Sequence, residues 1–238
     1  MFGWRARIGF IAPAVYLFSQ EWDRPLPEGV VWATVSLGVR SLVSEDLNRA
    51  FNQYLWAGET LASREVDIII CGGSAVQLSV GYEKSQEIAN RIQETTGIPT
   101  ILDITALTSA LDKLAAKKIV IATPYENERN EEHKKYLEKR GIDVLNMKGL
   151  GLRNTVDITK QPPYASYRLA REAFRETPQA DAIWIGCPAW PVLSNVDILE
   201  RDLGVPVITD VTYFLWAALT ALNIKSPIKG YGKLLEIF

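Results

Sequence analysis

One histidine and two cysteines are all that 238 residues offer in imidazole and thiolate metal ligands. A lone histidine argues against a histidine-based metal site and against a triad built from several histidines, so no metal is expected. Two cysteines are too few for a disulfide framework and fit a reducing compartment, the cytoplasm. An excess of one charge is also missing. Lys and Arg total 26 and Asp and Glu total 28, a net charge of −2. That balance gives no footprint for nucleic acid or an anionic membrane, and neither is expected as a partner. Long hydrophobic runs are absent as well. The apolar part of the N-terminal MFGWRARIGFIAP is too short for a signal peptide or a membrane span, and Pro13 interrupts it. There is no Walker loop, CxxC pair, HExxH or Gly-x-Ser-x-Gly. Cys71-Gly-Gly-Ser-Ala75 lacks the spacing and the lysine of a nucleotide loop.

What is present is an alternation. Short apolar runs fall at Ile8–Ala12, Asp67–Ile70, Thr100–Leu102, Ile119–Thr123, Asp181–Ile185 and Val205–Ile208. Runs of this length without polar alternation read as strands buried on both faces. Between them lie amphipathic stretches. Ser44–Arg64 opens on a Ser cap signal and acids. Tyr82–Thr96 ends at Gly97 and Glu126–Arg140 at Gly141. Tyr164–Glu176 and Ser194–Asp202 follow the same grammar. Strand–helix alternation predicts parallel sheets covered by helices, an α/β fold.

The chain also repeats itself. Arg7–Pro13, Asp67–Gly73 and Thr96–Thr105 in the first half match Lys118–Pro124, Asp181–Cys187 and Leu203–Thr212 in the second. The landmarks are a strand then proline, an Asp-led strand then a small-residue turn, and Gly-x-Pro then a strand then Asp-x-Thr. Duplication predicts two similar parallel-sheet α/β units related by a pseudo-two-fold axis. The first would span 1–115, completed by 213–238, and the second 116–212. Ligands of open parallel sheets bind beyond the carboxyl ends of the strands, so the active site is expected in the cleft between the units.

Cys187 stands at such an end, after Gly186. Backbone amides at a strand-to-helix turn stabilise a thiolate and cradle an oxyanion; the alternative is a small buried hydrophobe. Six residues from Asp181 lead to Cys187, and six from Asp67 lead to Gly73. Two opposed thiols would act on both faces of a carbon. With one missing, the pattern suits a reaction that makes its own carbanion, such as loss of carbon dioxide, and protonates it on one face. Tyr125 is a candidate oxyanion donor or a strand-edge residue. Ser74 is a candidate carboxylate ligand or an N-cap, and Asp103 and Asp210 read as helix caps. Arg40 is a candidate second carboxylate partner or a surface residue. His133, in Glu131-Glu-His-Lys-Lys135, reads as solvated. Cys71 reads as core, although a register error would make it the second thiol. Trp4, Trp22 and Trp32 read as interface or core, and the oligomeric state is left open.

These residues resemble the aspartate/glutamate racemase superfamily, arylmalonate decarboxylases first and maleate cis–trans isomerases second. The likeness runs through Ile8-Gly-Phe-Ile-Ala-Pro13, Leu37-Gly-Val39, Gly73-Ser-Ala75 and Ala122-Thr-Pro-Tyr125 with Asn130. It continues through Gly186-Cys187, Glu200-Arg-Asp-Leu-Gly-Val-Pro-Val207 and Gly230-Tyr-Gly-Lys-Leu234. The resemblance implies decarboxylation of a disubstituted malonate without a cofactor, the small carboxylate being the partner. Cys187 would protonate an enediolate held by Ser74, the Ala75 amide and Tyr125. Pro13, Val39, Leu42, Gly73, Val76 and Pro188 would shape the pocket. The alternatives are an isomerase or racemase of a small dicarboxylate, and a carboxylate-binding protein without turnover. Ala75 stands where the decarboxylases carry a second hydroxyl, and Pro188 where they carry glycine. Those departures imply a different substrate within the same chemistry.

Overall fold

The computed structural model describes residues 3–16 and 19–238. Its first unit runs β1 (Ala6–Ala12), α1 (Ser19–Asp23), β2 (Val30–Ser36), α2 (Ser44–Phe51), α3 (Tyr54–Ala62), β3 (Ile68–Cys71), α4 (Ser74–Val80), α5 (Tyr82–Thr96), β4 (Thr100–Leu102) and α6 (Asp103–Lys113). The second runs β5 (Lys118–Tyr125), α7 (Asn127–Lys139), β6 (Asp143–Leu152), α8 (Thr155–Thr159), α9 (Pro163–Glu176), β7 (Ala182–Ile185), α10 (Val196–Leu203), β8 (Val207–Thr209) and α11 (Asp210–Ala221). Each unit holds one four-stranded sheet, ordered β2-β1-β3-β4 and β6-β5-β7-β8, with every pairing parallel. The α/β class and the duplication read from the sequence are what the structure shows.

The repeated landmarks have the same job in both sheets. Asp67 Oδ2 accepts the Arg7 N–H at 2.7 Å, and Asp181 Oδ2 accepts that of Lys118 at 2.7 Å. Each aspartate therefore fastens the start of its strand to the central one. Gly72 N–H donates to Ile11 O and Gly186 N–H to Ala122 O, both at 3.0 Å. Gly97 and Gly204 both take φ +72°, the left-handed turn that closes a helix before the Gly-x-Pro segment.

Eight strands replace the six expected from continuous apolar runs. The two missed, β2 and β6, are edge strands and mostly half-buried. An edge strand has only part of its surface to bury, so its apolar run is diluted. The helix expected over Ser44–Arg64 is broken at Asn52-Gln53 into α2 and α3. The break turns Tyr54 inward, where its hydroxyl donates to Gly72 O at 2.6 Å. Ser44 is the first residue of α2, after Val43 at the cap, and makes no capping bond. Trp22 is buried in an aromatic cluster with Phe10 and Phe214, Trp32 is half-buried, and Trp4 is exposed. Helix α11 leaves the second sheet at β8 and packs on α6 and β3 of the first unit. No helix among the described residues is long and apolar enough to cross a membrane.

Candidate active site

The strand ends of both units open on one cleft. Pro13, Val39, Leu42, Gly73, Ala75 and Val76 line it from the first unit. Tyr125, Cys187 and Pro188 line it from the second. Two expected residues are not among its walls. Arg40 is exposed, and only its backbone is held, the N–H by Asp46 Oδ2 at 2.7 Å and the carbonyl by Thr155 N–H at 3.0 Å. Ser74 is buried with its hydroxyl turned to His133.

Gly73 and Cys187 occupy equivalent turns with nearly the same backbone, φ +107° and +98°. Glycine adopts that region freely. For cysteine it costs on the order of 1–3 kcal/mol, and such strain clusters at functional sites. A cysteine kept only for packing gains nothing from that position. Burial pushes its thiol up to about 12, and an ionised Asp210 would push it the same way. The Tyr125 hydroxyl and the Ala189 amide pull the other way. The thiol is therefore protonated at neutral pH. Ala189 supplies beside the sulfur the amide that Pro188 cannot.

Tyr125 ends β5. Its N–H donates to Thr123 Oγ1 at 3.1 Å, and its carbonyl accepts from Asn130 Nδ2 at 3.4 Å. Its ring lies 5.6 Å from that of His133 at 23°, so the second unit fixes the phenol's direction. Burial first, and then the nearby thiol, push that phenol well above its ordinary value. It remains a hydrogen-bond donor. Cys71 ends β3, fully buried and outside the cleft walls, with Ile11 and Leu102 beside it in register. It belongs to the core.

His133 is buried, against the expectation of a solvated side chain. It shares one helix face with Asn130, Tyr136 and Leu137, all buried. That helical spacing was the available signal, and the flanking Glu131, Glu132, Lys134 and Lys135 masked it. His133 Nδ1 lies 2.7 Å from Arg129 O, a pure acceptor, so Nδ1 carries the proton. Nε2 then presents its lone pair, and the Ser74 hydroxyl donates to it at 2.8 Å. Burial lowers this histidine to about 4, so it is neutral at pH 7. The bond ties α7 of the second unit to α4 of the first.

Asp103 does not cap the helix it begins. It is the first residue of α6, and its Oδ2 accepts the amides of Gly73 and Ser74, each at 2.8 Å. It therefore secures the turn into α4. Asp210 is the first residue of α11, which Thr209 caps through a reciprocal box with Thr212.

The sequence reading missed Tyr16, Thr155 and Ile158 on the cleft walls. Tyr16 stands three residues after Pro13, whereas Tyr125 is next to Pro124, so the repeat did not point to it. Its hydroxyl is buried and has no hydrogen-bond partner among the described residues. Burial, followed by Cys187, pushes it well above its ordinary value. Tyr16 and Cys187 line the same cavity.

A duplicated α/β protein with a strained cysteine at one strand end and glycine at its counterpart is a defined class. The sequence model of the arylmalonate decarboxylase family matches residues 9–235, and the chain belongs to that family. It is 22% identical over 231 residues to arylmalonate decarboxylase from Bordetella bronchiseptica, covering 96% of each. It is 26% identical over 160 residues to a maleate isomerase from Geobacillus stearothermophilus, covering 66% of this chain and 63% of that one. Among solved structures, the maleate isomerase Iso from Pseudomonas putida S16 superposes with a TM-score of 0.90 at 22% identity, covering 97% and 98% of the two chains. A double mutant of arylmalonate decarboxylase in the liganded form gives 0.89 at 22% identity, covering 96% and 98%. The similar proteins are enzymes of two kinds, decarboxylase and isomerase.

Proposed function

We propose that the protein decarboxylates a disubstituted malonate-type dicarboxylate without a cofactor, and protonates the product through Cys187. The observation that carries this reading is the single protonated thiol on the cleft, opposite a glycine in the same turn. An isomerase that adds a thiolate to a double bond is served by a low-pKa cysteine. A buried thiol pushed up to about 12 supports a proton donor instead.

In this reading one carboxylate enters beside Tyr125 and the amide of Ala75. Ala75 is the second residue of α4, where helix amides have no partner within the helix. The departing carboxylate lies against Val39, Leu42 and Val76. Apolar walls disfavour its charge and favour neutral carbon dioxide. The carbon–carbon bond breaks, its electron pair passes into the enediolate, and the Tyr125 hydroxyl donates to the oxygen that gains charge. Cys187 then gives its proton to the α-carbon on one face, and the thiolate left behind regains a proton before the next turnover. Ser74 stands behind this wall and acts through the α4 turn.

The test is carbon dioxide release from a panel of α-aryl- and α-alkyl-malonates, beside a Cys187→Ala control. Release with an optically active product that requires Cys187 supports the reading. Maleate converted to fumarate, with no malonate consumed, supports the isomerase instead. Carboxylate binding without either reaction supports a binding protein.

A further inference from the structure

Beneath the cleft, Tyr213 of α11 bridges the two pseudo-equivalent aspartates. Its hydroxyl lies 2.6 Å from Asp103 Oδ1 and 2.9 Å from Asp210 Oδ1. All three residues are buried. A phenol has one proton. If both carboxylates were ionised, that proton would serve one, and the other would face phenol lone pairs at hydrogen-bond distance. The chain of bonds closes only with a second proton on one aspartate.

The surroundings decide which. Asp103 Oδ2 also accepts the amides of Gly73 and Ser74, so its negative charge is solvated by the protein. Two backbone amides, its own and that of Cys187, face the Asp210 carboxyl without closing to a hydrogen bond, and Asp210 Oδ2 has no partner among the described residues. The ionisable groups facing the pair are Cys187, Tyr125, Tyr16, Cys71 and Tyr54, every one an acid. None supplies a positive charge to hold a second carboxylate ionised.

We propose that Asp103, Tyr213 and Asp210 form a buried chain that stores one acid proton on Asp210, so that a neutral carboxyl stands beside Cys187 when that thiol gives up its proton. Asp210 donates to the Tyr213 oxygen, and Tyr213 donates to ionised Asp103. The asymmetry of the site then has two layers. The glycine side carries the anion, and the cysteine side carries the neutral acid. An ionised Asp210 would oppose the thiolate that proton delivery leaves behind. Asp210 and Tyr213 are positioning residues that act through Cys187. Burial raises both carboxyls, in line with a proton held between them.

The functional part rests on Cys187 as the proton donor, so the test uses readouts that need no turnover. Infrared spectra of protein labelled with ¹³C-aspartate should show the carbonyl stretch of a protonated aspartic acid at pH 8. Asp210→Asn should remove it. Absence of the band from the native protein, or its survival in Asp210→Asn, overturns the assignment. Asparagine is neutral like the acid it replaces, so Asp210→Asn should alkylate Cys187 with iodoacetamide at pH 8 within about twofold of the native rate, after subtraction of the Cys187→Ala signal. A rise of about tenfold or more would mean that a charge had been removed, and contradicts the proposal. Where Asp210→Asn fails to fold, absence of the native band still overturns the proposal, and Asp210→Glu, which keeps an acid outside the ¹³C-aspartate label, should remove the labelled band; its survival there overturns the assignment. Loss of decarboxylation in the assays above, with band and alkylation as expected, would refute the function and leave the proton assignment standing.

Discussion

Replacing Cys187 by glycine and by alanine isolates the backbone strain at the cleft. At an ordinary buried site glycine is the less stable of the two. It loses a further carbon's burial, about 0.8 kcal/mol, and gains about 0.5–1 kcal/mol of chain entropy in the unfolded state. The expected order is alanine over glycine by about 1.5 kcal/mol. Cys187 sits at φ +98°. Alanine keeps the strain of that conformation, and glycine relieves about 1–3 kcal/mol of it. The order should therefore close up or reverse, from Cys187→Ala ahead by about 0.5 kcal/mol to Cys187→Gly ahead by about 1.5 kcal/mol. Urea unfolding, compared through midpoints at constant slope, measures the difference. Both variants should lose stereospecific protonation. A glycine variant that unfolds about 1 kcal/mol or more below the alanine variant would show that the turn carries no such strain. The structural argument for a functional Cys187 would then fall.

Three further outcomes follow from the cleft. Tyr16→Phe removes a buried hydroxyl that has no partner among the described residues, so the free protein should gain about 1 kcal/mol of stability by urea unfolding. Its affinity for a malonate should fall by calorimetry; unchanged affinity would remove Tyr16 from the site. His133 is held neutral down to about 4, whereas the unfolded chain protonates it below about 6.5. Its stabilising contribution is complete above that upper value and is lost as the pH falls through the window. Asp103, raised to about 6, acts in the opposite sense over part of the range, so the comparison is with His133→Gln. The variant's deficit at pH 7.5 should shrink by about 2 kcal/mol at pH 5, and a constant deficit would contradict the neutral assignment. Moving the thiol, by Gly73→Cys with Cys187→Gly, should invert the hand of the product. A Cβ at Gly73 meets Pro13 Cβ at 3.1 Å and Tyr54 Oη at 3.2 Å, and φ there is +107°. The double variant should therefore unfold on the order of 1–3 kcal/mol below Cys187→Gly. A product of unchanged hand would refute the pseudo-symmetric reading.

The interior strands were readable because burial on both faces leaves an unbroken apolar run, as in Ile68–Cys71 and Ala182–Ile185. The duplication was readable because Asp67 and Asp181 do the same backbone work. Most of the cleft's walls followed from strand ends and from the family resemblance. The hidden part was tertiary. Nothing local to Ser74 announces that a helix from the other unit delivers His133 to its hydroxyl. Asp103 precedes a helix and reads as its cap, yet its carboxylate serves a different helix and a tyrosine 110 residues away. Arg40 fits a carboxylate by chemistry alone, and its exposed position takes it off the wall.

The most direct test of the central claim is turnover of an α-aryl-α-alkyl-malonate in heavy water, read by proton spectroscopy and chiral chromatography. The account predicts one deuterium at the α-carbon, one enantiomer, and loss of that selectivity in Cys187→Ala. Carbon dioxide release that yields a racemic product from the native protein would contradict it, because a single thiol on one wall of the cleft delivers to a single face.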